Sequence, residues 1–216
     1  MGSTPATRSR EQARLSRELL LDACIRIADE EGADAVTLRR LGSELGVDPT
    51  AVYRHFRDKE ELLSAMADRV MTEAFRTAEI TGDWRADLRN LALTMRRAYL
   101  AHPRVAVLFL TAKGPMAGEA ALTEEALAII RGTGLPDEEA VTVFEALEAY
   151  TVAVSCWDGM GSDTPQEPWR ASYAALPPAE FPNLTGVAGL LYQDADARFE
   201  FGLDLLLEAI GRRVGD

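Results

Sequence analysis

Apolar residues recur at helical spacing through almost the whole chain, and no run alternates apolar and polar positions at strand spacing for long. The pattern predicts an all-α protein. In the first helix, expected over 11–31, Leu20, Cys24, Ile27 and Ala28 fall at i, i+4, i+7 and i+8 and form one inward stripe, with Gly32 placed to end it. Three short units follow, each announced by a side-chain cap. Thr37 precedes LRRLGSEL, Asp48 precedes PTAVYRHF with Pro49 in the first turn, and Asp58 opens a segment over 58–79 with Glu61 set to complete a capping box. Helices this short are unstable alone, so they are expected to pack on one another and on the first helix.

After Gly82 the helices lengthen. Asp83 caps a stripe of Trp84, Leu88, Leu91, Met95 and Ala98 that ends at the His102-Pro103 step. A short apolar helix over 104–112, a break at Gly114-Pro115 and a helix over 119–131 come next. From Asp137, the residues Ala140, Phe144, Leu147, Thr151 and Val154 repeat at spacings of 4, 3, 4 and 3, the seam pattern of helix packing. Five of the ten prolines lie within 165–182, so 159–189 reads as a long connection holding one short helix near 169–176. The last helix, over 194–213, puts Ala195, Phe199, Gly202, Leu203, Leu206 and Ile210 on one face, flanked by Phe201 and Leu205. That stripe is wider than one neighbour requires. Gly202 in mid-helix costs about 1 kcal/mol relative to Ala unless something approaches closely there.

Composition adds a size and a charge. The 216 residues, 47% hydrophobic and 27% charged, suit one substantial core with a smaller unit beside it. The net charge of −12 argues at first against nucleic acid, whose partners carry a basic footprint. Its distribution reverses that impression: residues 1–60 hold 10 basic and 11 acidic side chains, and the remainder hold 13 and 24. Near the start, Arg8, Arg10, Arg14 and Arg17 face only Glu11, which reads either as a solvated tail or as a basic arm for the minor groove. No apolar leader opens the chain and no apolar stretch approaches the ~20 residues of a membrane span, so a cytoplasmic protein without a membrane partner is expected. Cys24 and Cys156 have no metal or redox spacing, and Ser155 and Cys156 have no histidine nearby in sequence. Neither a metal site, a cofactor nor a catalytic set is expected, and the chain does not read as an enzyme.

The most informative block is TLRRLGSELGVDPTAVYRHFRDK over 37–59. It reads as two short helices joined at Gly46-Val47-Asp48, with Leu38, Leu41, Leu45, Val47 and Val52 inward and Thr37, Arg39, Arg40, Thr50, Tyr53, Arg54, His55 and Lys59 outward or capping. A second helix with a small first turn (Pro49, Thr50, Ala51) flanked by hydroxyls and cations suits insertion into a major groove, the first turn near base edges and its neighbours on phosphates. A helical hairpin with a solvated polar face fits the spacing equally well.

The stretch over 19–71, with VTLRRLGSELGV, YRHF and KEELL, resembles the DNA-binding domain of the TetR family of bacterial transcriptional regulators. The resemblance implies phosphate-contacting or helix-anchoring roles for Thr37, Arg39, Tyr53, His55 and Lys59, and base-reading positions for Pro49, Thr50 and Ala51. With few donors among those three, readout is expected to lean on Thr50, Arg39, Arg40 or Arg54 and on thymine methyl contacts. Further on, AHPRVAVLFLTAKGP, the helix over 137–158 and RFEFGLDLLLEAI look like the tetracycline-repressor-like C-terminal domain, in which two helices from each protomer form a four-helix dimer bundle. This matches the heptad seam and the wide last stripe, and places Phe144, Leu147, Thr151, Phe199, Gly202, Leu203, Leu206 and Ile210 at a dimer interface. The tetracycline repressor holds its magnesium-chelated drug with histidine ligands, whereas this chain has only His55 and His102, so no metal chelate is expected. Met95, Tyr99, Phe109, Phe144, Tyr150 and Trp157 are the candidates for lining an effector cavity among the helices.

The expectation is thus an all-α homodimer in two parts. An arm and three-helix helix-turn-helix domain occupies 1–60, and an antiparallel helix bundle that senses a small molecule and dimerises occupies 61–216, joined through the helix at 58–79. Its partners would be a palindromic double-stranded DNA operator, a small-molecule effector and a second copy, and its role that of a repressor released by the effector. An all-α carrier or enzyme without DNA affinity is the alternative.

Overall fold

A computed structural model describes residues 15–111, 117–161, 167–192 and 194–215, the side chains of 109–111 and 117 excepted. Among the described residues there are eleven α-helices and two short 3-10 turns, and no strand. The helices are α1 (Arg17–Glu31), α2 (Leu38–Leu45), α3 (Pro49–Val52), α4 (Lys59–Phe75), α5 (Trp84–Ala101), α6 (Pro103–Thr111), α7 (Ala117–Gly132), α8 (Asp137–Gly161), α9 (Glu167–Ala174), α10 (Pro182–Val187) and α11 (Ala195–Val214).

The predicted caps form. Thr37 accepts from the Arg40 amide, Asp48 from Thr50, Asp58 from Glu61 and Asp83 from Ala86, each satisfying a first-turn N–H that the helix itself leaves unpaired. The capping box at α4 is shifted by one residue, because the Glu61 carboxylate accepts from the amide of Arg57 at 2.9 Å. A Ser16 cap opens α1, and Gly32 ends it at φ +96°.

Packing assembles the helices around three apolar clusters. The first joins the α1 stripe of Leu20, Cys24, Ile27 and Ala28 to Leu38, Leu41, Val52 and Phe56, and extends along α4 through Leu62, Met66, Ala67 and Val70 to Val105 of α6. The expected division at residue 60 therefore falls within α4, whose inner face belongs to the N-terminal core almost to its end. The second cluster packs α5, α7, α8 and α11, and the third, with Met71, Met95, Tyr99, Ala106 and Cys156, lies between the other two. By length and composition α8 is apolar enough to cross a bilayer, but it packs against α5, α6, α7 and α11, and its first turn carries Asp137, Glu138 and Glu139.

Two expectations change here. The segment over 159–189 holds more order than a single short helix: α8 runs on to Gly161, and α9, α10 and a 3-10 turn at Ala188–Leu190 follow. Pro182 sits in the first turn of α10, where its missing N–H and fixed φ favour the helix that the proline count argued against. The connecting helix stops at Phe75 instead of 79, closed by the 3-10-type bonds Thr77 to Ala74 and Ala78 to Phe75.

Candidate nucleic-acid interface and effector cavity

The helix-turn-helix is held at its turn by small residues. Gly46 takes a left-handed φ of +66°, and the Val47 amide donates to the Gly42 carbonyl at 2.9 Å. A Cβ on Gly42 would stand 3.0 Å from the Val47 carbonyl and 3.2 Å from the Pro49 ring, so a hydrogen at that position lets the turn lie flat on α2. The recognition element is shorter than the predicted PTAVYRHF. Regular α-helix covers Pro49–Val52, and 53–55 continue as tighter turns that swing Phe56 into the core, where it is fully buried.

The predicted DNA-contact residues separate into free and occupied groups. Arg39, Tyr53 and Arg54 are exposed, Tyr53 at 58%, on the outer side of the reading head. Arg40 is not open in the same way: its guanidinium bonds Glu31 at 2.6 Å and Glu44 at 2.7 Å, which raises its own pKa and lowers that of Glu44. Lys59 donates to the Asp34 carbonyl at 3.0 Å, so it also ties α4 to the turn after α1. The Thr50 hydroxyl and amide both donate to Asp48, holding that carboxyl below its usual range. Thr37 serves as a cap, while Pro49 and Ala51 are half-buried in the first turn. His55 is half-buried, and its carbonyl accepts from Arg17 at 2.8 Å. Arg17 also lies 4.3 Å over the Phe56 ring and pairs with Glu61, which makes it part of the domain. The arm residues Arg8, Arg10 and Arg14 lie outside the described residues.

A cavity of about 320 Å³ opens between α4, α5, α7 and α8. Of the predicted lining, Met95, Tyr99 and Phe144 are present, joined by Met71, Leu88, Leu91, Leu122, Ile130 and Val152, and by Thr123, Thr151, Glu119 and Glu148 as the polar members. Tyr150 and Trp157 are not there. Tyr150 stacks on Phe199 at 5.3 Å and donates to its carbonyl at 2.9 Å, while Trp157 points to solvent at 69% exposure. The Phe109 side chain lies outside those described. Burial, followed by the neighbouring carboxylates Glu119 and Glu145, raises the pKa of Glu148, and burial pushes the Cys24 thiol up to about 12. Most of the missed lining is shared between α7 and α8, at aliphatic and polar positions that carried no aromatic or thioether signal.

Two polar devices bind the parts together. His102 Nδ1 lies 2.8 Å from the Asp29 carboxylate, and Arg104 donates to the carbonyls of Asp29 and Glu30, so the α5–α6 junction grips the C-terminal end of α1. The Gly118 amide donates to Asp68 of α4, and a Cβ at Gly118 would run into the Thr72 hydroxyl. The first turn of α7 therefore rests directly on α4.

The proposed dimer stripe divides in two. Phe199, Leu203 and Ile210 of α11 and Leu147 and Thr151 of α8 are buried within the protomer, with Phe144, Gly202 and Leu206 half-buried beside them. The α11 members share a cluster with Leu147 and Phe144 that joins α8 to α11 in one chain, while Thr151, with Phe144 and Leu147, also lines the cavity. Gly202 is explained by Tyr150, since a Cβ there would collide with the phenol ring. The apolar residues left outside are Val141, Trp157 and Met160 on α8 and Phe201 and Leu205 on α11.

Comparison with known proteins covers both parts. A family profile described as bacterial regulatory proteins, tetR family, matches residues 20–66, and one described as tetracyclin repressor-like, C-terminal domain, matches 77–214. An HTH-type transcriptional repressor of Mycobacterium tuberculosis is 30% identical over 233 residues, spanning 99% of this chain and 87% of the relative. Apo ActR from Streptomyces coelicolor superposes with a TM-score of 0.80 at 27% identity, covering 93% of this chain and 97% of that one. ActR in complex with actinorhodin does so at 0.80 and 26%, covering 92% and 96%.

Proposed function

The chain belongs to the tetR family of bacterial regulatory proteins and is a DNA-binding transcriptional regulator, and we propose that it is a homodimeric cytoplasmic repressor whose operator grip is released by a small molecule seated between α4, α5, α7 and α8. Membership implies a binding protein and not an enzyme. Arg39, Tyr53, Arg54 and the first turn of α3 face the DNA, with Thr50 nearest the base edges.

One observation carries the switch. Met71 lines the cavity, while Leu62, Met66, Ala67 and Val70 of the same helix are built into the reading domain's core. A molecule that presses on Met71, or on α7 where Gly118 rests against Asp68, displaces the rod that carries the helix-turn-helix. ActR in complex with actinorhodin supplies a precedent in the family for a regulator with a bound small molecule. The ligand must bind the two settings of α4 with different affinity for the equilibrium to move.

The dimer is formed by the outer faces of α8 and α11, through Val141, Trp157, Met160, Phe201 and Leu205. Five large apolar side chains left in water along two adjacent helices are what a second copy would cover. Selection of the full chain's preferred sequence from random duplex DNA tests both parts. An inverted repeat with half-site centres about 34–36 Å apart, or a multiple, is expected. A lone, non-repeated site, or no enrichment, contradicts the proposal.

A further inference from the structure

One buried hydroxyl in the cavity wall has no partner in the protein. Thr151 of α8 lines the cavity and is 6% exposed, and its side chain neither donates nor accepts a hydrogen bond among the described residues. A helical threonine can turn its hydroxyl back to the carbonyl one turn earlier, as Thr142 of the same helix does to Glu138 at 3.0 Å. Thr151 makes no such bond. Thr123 of α7 also lines the cavity, but it is only half-buried. The walls around these hydroxyls are apolar: Phe144 brings a ring, and Met71 and Met95 bring thioethers, which make favourable contacts with aromatic rings. The charged members of the lining are the carboxylates Glu119 and Glu148, and no lysine, arginine or histidine lines it among the described residues. Water can meet the Thr151 hydroxyl in a wet cavity, but a ligand body that displaces water must supply the hydrogen bond itself or bury the hydroxyl unpaired. A carboxylate brought to Thr151 would lose its hydration with no lining cation to offset the loss.

On the reading of this cavity as the effector site, we propose that the effector is a ring-bearing apolar molecule that carries a neutral oxygen, a hydroxyl or a carbonyl, to Thr151. The ring body packs among Met71, Met95 and Phe144, and its oxygen completes the hydrogen bond that the fold leaves unmade. A site that hydrogen-bonds its ligand in this way discriminates against an analogue of the same shape without the oxygen, because the buried hydroxyl is then left unpaired. Thr151 is thus the residue that sets specificity within an otherwise apolar chamber.

Three probes with the same body separate the cases: naphthalene carrying a hydroxyl, a fluorine or a carboxylate at the same ring position. Titrated calorimetrically into the full-length protein at neutral pH, the hydroxyl probe should bind about 10-fold tighter than either of the others. Thr151→Val keeps the side chain's shape and removes its hydroxyl. It should weaken the hydroxyl probe about 5- to 10-fold, leave the fluorine probe within about 2-fold, and not lower the melting temperature of the free protein, since no bond of the fold is lost. Equal binding of the hydroxyl and fluorine probes, tighter binding of the carboxylate, a hydroxyl preference that survives Thr151→Val, or a variant that melts clearly earlier overturns the proposal while leaving the cavity a ligand site. Failure of all three probes to bind up to their solubility limits overturns both the proposal and the effector role of this cavity.

Discussion

At the scale of single residues, the reading head shows which cations are available to DNA. Arg39 and Arg54 are exposed, while Arg40 is clasped by Glu31 and Glu44 and pairs within the domain. Each freely offered cation that neutralises a phosphate releases counterion and steepens the salt dependence by about one unit. Arg39→Ala and Arg54→Ala are expected to weaken operator binding about 10-fold each and to lower the salt slope by about one. Arg40→Ala should leave the slope unchanged, as fluorescence anisotropy over a salt series would show. A second residue sets acid stability. Asp87 is 1% exposed and accepts from the amide and hydroxyl of Thr81 and the amide of Gly82, closing the loop before α5. Desolvation alone would raise its pKa, but those three donors outweigh it and hold it below the ordinary aspartate value. A group depressed in this way stabilises the fold above its unfolded pKa, near ~3.9, and the contribution is lost as the pH falls through the folded value. Asp87→Asn should lower stability by about 1–3 kcal/mol at neutral pH. In urea melts it should flatten the acid limb of the stability profile, and an unchanged limb would remove Asp87 from that role.

At the scale of elements, the sequence made the helices legible wherever a cap and a stripe coincided, as at Thr37 with Leu38 and Leu41, or Asp83 with Leu88, Leu91 and Met95. The apolar period says that a face is covered; it is silent on whether the cover is the same chain or a second one. For that reason Phe199, Leu203 and Ile210 read as a dimer seam, although α8, through Leu147 and Tyr150, fills that side within one chain. Phe201 and Leu205, noted only as flanks, turn out to be the exposed pair. Long-range choices were equally hidden: nothing near Tyr150 in sequence announces that its ring sits against Gly202 or that its hydroxyl seeks the Phe199 carbonyl. The two faces of α11 give opposite expectations. Phe201→Arg with Leu205→Glu should leave the melting temperature of the protomer fold largely intact and convert the species seen in sedimentation to a monomer. Leu203→Ala, in the core, should cost about 2–5 kcal/mol of stability. A charged double variant that still sediments as a dimer would move the interface elsewhere.

At the scale of the molecule, the charge of −12 belongs to its parts unequally: near neutrality over 1–60, and a surplus of acid beyond. An acidic body repels the DNA backbone, so binding depends on the few cations of the reading head and, in the proposed dimer, on correct docking of both heads at once. That makes the grip sensitive to small changes in head placement, and α4 links the heads to the cavity through Met71 at one end and the Leu62, Met66 and Val70 core at the other. The grip of His102 and Arg104 on the end of α1 adds a second contact between body and head, a second route by which the proposed switch would reach the head. The most direct test is the operator affinity of the full-length protein, free and saturated with a ligand that calorimetry and competition place in the cavity beside Met71. If the cavity controls the grip, the operator dissociation constant rises at least 10-fold on saturation; an unchanged constant with the cavity filled would contradict that control.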